Sequence, residues 1–77
     1  MDRQKLRELI DELYLDLTFL YKGKCGIIMP ENNDRLIIAY ADDERICKNT
    51  DEVMDAQIFN GNSLNDICNE ITEVQLV

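Results

Sequence analysis

The chain carries two β-rich apolar runs, Cys25-Gly26-Ile27-Ile28-Met29 and Arg35-Leu36-Ile37-Ile38-Ala39-Tyr40, joined only by the residues from Pro30 to Asp34. That short link constrains the fold more than any other feature. Parallel pairing needs a crossover of about a dozen residues or more, so two neighbouring strands linked this way run antiparallel. Pro30 ends the first run, and Glu31-Asn32-Asn33-Asp34 has turn composition. Ala41-Asp42-Asp43 reads as another tight turn, with a short third strand following at Glu44-Arg45-Ile46-Cys47-Lys48.

Ahead of the strands, Leu6, Ile10, Leu13, Leu17 and Leu20 recur at alternating steps of four and three. This is the stripe of an amphipathic helix, and it predicts a helix from Arg3 to Tyr21. Leu9, Tyr14 and Phe19 widen the stripe to a face broad enough to pack on a sheet or a second helix. Asp2 supplies an N-cap and Gly23 a stop. Two to three heptads are too few to claim a coiled-coil dimer through this helix.

Beyond the strands, Asn49-Thr50 precedes Asp51-Glu52, a capping side chain with acids at the positive end of a helix dipole. A short helix from Asp51 to about Gln57 follows from it. Asn60-Gly61-Asn62 breaks the chain, with Phe59 as an anchor for the loop, and Ser63 with Asp66 forms a capping box. Leu64, Ile67, Cys68 and Ile71 make the apolar face of a last helix, which Thr72 to Val77 either continue or leave frayed. The fold class is α+β: an N-terminal amphipathic helix, a two- or three-stranded antiparallel meander, and two short C-terminal helices packed on one sheet face.

A length of 77 residues holds one domain with one core. Such a chain buries only about 60–65% of the surface its unfolded form exposes, so a partner subunit would add materially to its stability. An apolar share of 45% and a charged share of 31% suit a folded chain. No apolar run suits a spanning helix or a signal segment, and Cys25, Cys47 and Cys68 contain no CxxC pair. A cytoplasmic protein with thiols buried as small core side chains is the reading, with no membrane partner.

Charge disfavours a nucleic-acid ligand. The net charge is −8; residues 1–24 hold five basic and five acidic side chains, and residues 25–77 hold three and eleven. Phosphate contacts need a basic patch, and the basic residues cluster only at the ends of the first helix. With no histidine, the commonest activating base for a nucleophile is absent, and a structural zinc site lacks its usual ligand set. The acidic residues match no calcium-loop spacing, and Gly23, Gly26 and Gly61 form no phosphate-cradling loop. Tyr14, Tyr21, Tyr40, Phe19 and Phe59 lack the interleaved cations of a base-stacking platform. Neither catalysis, a cofactor nor a metal is therefore expected.

At Gly26-Ile27-Ile28-Met29-Pro30 through Tyr40, and at Asp51-Glu52-Val53-Met54 through Phe59-Asn60-Gly61-Asn62-Ser63-Leu64, the chain resembles short uncharacterised proteins carried by bacterial phages and integrative elements. The resemblance spans residues 26–71 and implies no activity and no functional residues. Two functions remain. One is an interaction module that binds a protein partner, or itself, through an apolar patch, motivated by the wide first helix and the apolar Val74, Leu76 and Val77. The other is an acidic imitation of nucleic-acid phosphates, inhibiting a nuclease or related factor and encoded by a mobile element. Its candidate partner-binding residues are Asp42, Asp43, Glu44, Asp51, Glu52 and Asp55.

Overall fold

The computed structural model of the protein describes residues 1–32 and 34–77. The chain runs α1 (Arg3–Asp11), β1 (Leu17–Tyr21), β2 (Lys24–Asn32), β3 (Arg35–Tyr40), β4 (Asp43–Cys47), α2 (Thr50–Asp55), α3 (Leu64–Ile67) and β5 (Thr72–Leu76). The strands form one sheet in the order β4-β3-β2-β1-β5, and every neighbouring pair is antiparallel. The class is α+β with an N-terminal helix, as the sequence predicts, but the sheet has five strands rather than two or three.

The two additional strands come from the end of the segment read as the first helix and from the tail read as either helical or frayed. Asp2 does cap α1, its carboxylate accepting from the Gln4 amide at 2.9 Å, but the helix ends at Asp11 rather than Tyr21. Leu13, Leu17 and Leu20 fit a helical period, and Leu17, Phe19 and Tyr21 fit a period of two. The second pattern prevails because Thr, Phe and Tyr favour a pleated surface and because all three alternate residues reach the core. Tyr14, assigned to the helix stripe, is instead 85% exposed. Gly23 does not stop a helix; with Lys22 it makes the two-residue turn joining β1 to β2, at φ of 77° and 51°. Both positive angles belong to the turn that matches strand twist. At the other end, residues from Thr72 neither continue α3 nor fray: they pair with β1 as the outer strand β5.

The remaining elements lie close to their sequence signals. β3 spans the predicted Arg35–Tyr40, β4 is shifted by one residue, and α2 ends at Asp55, two residues early. β2 runs through Pro30, which pairs with Leu36. The proline is tolerated because β1 begins opposite Ile28, so the ladder on that side is already complete. Of the turn expected at 31–34, Asn33 lies outside the described residues, and the Asp34 amide donates to the Asn32 side chain at 2.9 Å.

All three helices cover one face of the sheet. Leu6 and Ile10 of α1, Val53 and Met54 of α2, and Leu64 and Ile67 of α3 are buried against Leu17, Phe19, Tyr21, Ile28, Leu36, Ile38, Tyr40 and Cys47. At the centre stands Phe59, fully buried, with ring centroids 4.8 Å from Tyr40, 5.9 Å from Phe19 and 6.1 Å from Tyr21. Its position is fixed by the Asn60-Gly61 turn, where the Phe59 and Asn62 amides each donate to the other's carbonyl at 3.0 and 3.1 Å. The Tyr40 hydroxyl, buried with the cluster, donates to the Tyr21 carbonyl at 2.8 Å. Gly26 lies directly beneath Phe19, and a Cβ there would collide with the ring.

The capping box forms as predicted: the Ser63 amide and hydroxyl donate to Asp66 at 2.9 and 3.1 Å. These bonds, the amide first, hold the exposed Asp66 carboxyl below its ordinary value of 3.8. The contribution is complete above that value and is lost as pH falls through the lowered folded-state value. Asp66→Asn should therefore destabilise the protein near neutral pH, and the gap between its urea midpoint and that of the wild type should narrow on acidification. Phe59→Ala should cost about 3–5 kcal/mol, a large part of the roughly 4–12 kcal/mol available to a chain of this length. Gly26→Ala should cost about 1–3 kcal/mol through overpacking against Phe19; thermal denaturation of these two variants checks both values.

Candidate interaction surface

The strands that carry the helical core on one face are also apolar on the other. In β2 and β3 the residues alternating with the buried positions are Ile27, Met29, Ile37 and Ala39, all half-buried. Register aligns them into rows. Met29 stands opposite Ile37, and Ile37 opposite Ile46; Thr18 stands opposite Ile27, Ile27 opposite Ala39, and Ala39 opposite Glu44. A third row joins Leu20 to Cys25. Among the described residues no helix packs on this side, and Ile46 on the outer strand is 58% exposed.

An antiparallel sheet with one solvated face ordinarily alternates apolar with polar residues, whereas near-continuous apolar strands belong to sheets covered on both sides. The runs Gly26-Ile27-Ile28-Met29 and Leu36-Ile37-Ile38-Ala39 are of the second kind. The open sheet face therefore carries the larger apolar patch, where the sequence pattern points to the first helix and the tail. Those segments do meet in a smaller patch: Leu9, Leu13, Tyr14, Leu15 and Leu76 line a depression of about 220 Å³.

Charged groups stand at the margin of the open sheet face. Glu44 lies on the outer strand β4, and Glu73 borders the depression containing Thr18, Leu20 and Cys25 on the β5 side. At the β2–β3 end the Arg35 guanidinium donates to Glu31 at 3.2 Å. An apolar centre within a polar rim is the arrangement found at interfaces between proteins.

The six acidic residues considered as a partner site are all exposed, and they do not share one surface. Asp42 occupies the β3–β4 turn. Asp43, opposite Tyr40, takes the helix side of the sheet, whereas Glu44, opposite Ala39, takes the open side. Asp51, Glu52 and Asp55 come together on α2, each with a local partner. Asp51 pairs with Arg7 of α1, whose guanidinium is thereby held more firmly charged. Glu52 accepts from the Lys48 amide at 3.0 Å, and Asp55 from the Asn65 side chain at 2.7 Å.

Among the described residues, no group of three or more Cys, Asp and Glu is placed to hold a metal ion, and no helix is long and apolar enough to cross a membrane. Cys47 and Cys68 are buried, as their apolar neighbours suggest, but Cys25 is exposed at the edge of the open face. Burial pushes the Cys47 thiol up, with Glu52 adding to the effect, so it is a poor nucleophile. No family model matches the sequence, and no curated protein and no solved structure is significantly similar to it.

In dilute native protein, iodoacetamide should modify Cys25 alone, and Cys47 and Cys68 only after unfolding. Mass spectrometry of the alkylated peptides checks this; equal modification of all three thiols would contradict the assigned packing.

Proposed function

We propose that this protein is a protein-binding module whose contact surface is the open face of its sheet. The observation that supports the reading is the two-sided apolar character of β2 and β3, which leaves Ile27, Met29, Ile37 and Ala39 facing outward beside Ile46 of β4. Covering such a surface contributes about 25 cal/mol for each Å² of apolar area withdrawn from water. The rim of Glu44, Glu73 and the Glu31–Arg35 pair would orient the partner and disfavour wrong ones. Three unpaired thiols suit a reducing, cytoplasmic setting. An imitation of nucleic-acid phosphates by the six acidic residues has less support, since Asp51, Glu52 and Asp55 are committed to contacts within the fold and Asp43 and Glu44 point to opposite sides.

A photoreactive amino acid placed at Ile46 on the open face, and separately at Glu8 on the exposed side of α1, tests the reading in cells. Protein adducts should form from position 46 and not from position 8. Adducts of equal yield at both positions, or none at 46, would contradict a specific contact through the sheet face.

A further inference from the structure

We infer that the outer edge of β4 is a strand-addition site, and that its occupant is an extended, basic segment of another protein. The site borders the open face without lying on it, and it does not require that face to be covered.

The backbone is the first argument. Tyr40 and Asp43 close a two-residue turn, so they exchange both main-chain hydrogen bonds, and the bonded pairs continue at Ile38–Arg45 and Leu36–Cys47. Glu44 and Ile46, between these pairs, therefore turn their N–H and C=O groups away from β3. Among the described residues these groups meet no other backbone partner. β4 keeps unbroken register with β3, contains no proline, and is exposed at every residue but Cys47. Such an edge is a template for one more strand. The opposite edge, β5, is a poorer one: its register with β1 shifts near Glu73, whose φ is 52°.

Side-chain space is the second argument. A depression of about 260 Å³ lies between β4 and α2, lined by Arg45, Ile46, Cys47, Glu52, Asp55 and Ala56. An added strand continues the alternation of the sheet, so every second side chain stands on the helix side beside this depression. There Cys47 and Ala56 are buried and apolar, whereas Glu52 and Asp55 are exposed acids. Each acid uses one oxygen within the fold, Glu52 Oε1 for the Lys48 amide and Asp55 Oδ1 for the Asn65 side chain, and keeps the other. A lysine or arginine opposite Cys47 fits both features, its stem along the apolar residues and its head at the carboxylates. Arg45 excludes a cation from the position directly opposite itself and so helps to fix register. On the open side, the positions opposite Glu44 and Ile46 suit a second cation and an aliphatic side chain.

Charge is the third argument. Asp42, Asp43 and Glu44 at one end of the edge, with Glu52 and Asp55 at the other, outweigh Arg45 and Lys48. The same excess that admits a basic strand repels a second copy of a chain whose net charge is −8. Strand addition then draws affinity from the main chain and selectivity from the alternate side chains.

A display selection of random linear peptides on the purified full chain, at low salt, tests the inference. Enriched peptides should carry Lys or Arg among aliphatic residues, bind with micromolar Kd, and weaken as salt is raised. N-methylation scanned along one of them should abolish binding at every second position, because only alternate amides of an added strand face β4. Ile46→Pro removes an outward donor from an edge strand, where proline is tolerated, and should raise Kd at least about tenfold. Should that variant misfold, the methylation scan on the wild type decides alone. A selection without enrichment, binding indifferent to salt or to folded Ile46→Pro, a scan without the period of two, or occupation of the edge by a second copy in sedimentation equilibrium would overturn the inference. The open-face reading fails separately, through position 46 cross-linking to no protein in cells.

Discussion

Water is a poor neighbour for both faces of β2 and β3, and the helices can cover only one. This constraint shapes the rest of the molecule. Helices α1, α2 and α3 all fall on the same side because the links between elements are short and because Phe59 holds the segment between α2 and α3 down onto the sheet. The helical side is then complete: among the described residues, no buried side-chain nitrogen or oxygen lacks a hydrogen-bond partner. The other side has no such cover. Its centre is aliphatic and its margin is charged.

The aromatic cluster explains how so small a chain holds a five-stranded sheet. Phe19, Tyr21 and Tyr40 project from β1 and β3, and Phe59 enters between them from the α2–α3 connection. Aromatic pairs of this kind add about 0.5–1.5 kcal/mol beyond the area they bury. Gly26 in β2 makes room for the Phe19 ring, which sits where a Cβ on that residue would be. Side-chain polarity is spent locally, in the Ser63–Asp66 box and in the Arg7–Asp51 pair that joins α1 to α2. The exposed pair adds little, leaving apolar packing as the main source of stability.

Much of this was legible in the residues and some was not. The β3 boundaries, the Asp2 cap and the Ser63–Asp66 box each have a local chemical signature, and the structure reproduces them. β1 was obscured because Leu13, Leu17 and Leu20 satisfy a helical period while Leu17, Phe19 and Tyr21 satisfy a strand period. Periodicity cannot choose between them when a helix runs straight into a strand. β5 has a weaker signal still: only Val74 is half-buried, and its pairing partner β1 had itself been read as helix. The open face was visible in Ile27-Ile28-Met29 and Ile37-Ile38-Ala39, but one-sided cover emerges only when the helices are placed. The six acidic residues were visible as a charge excess, whereas their division among α2 and the two sides of β4 depends on register.

The central claim is that the outward residues of β2, β3 and β4 are covered when the protein is associated. Methyl-selective NMR with a soluble paramagnetic agent measures this directly, comparing the isolated protein with the protein in cytosolic extract. The account predicts that the methyl groups of Ile27, Ile37 and Ile46 are relaxed strongly in the isolated protein and become shielded in extract, while Ile28 and Ile38 stay shielded throughout. If Ile27, Ile37 and Ile46 remain as open to the agent in extract as in the isolated protein, the sheet face is not a binding surface and the account is wrong.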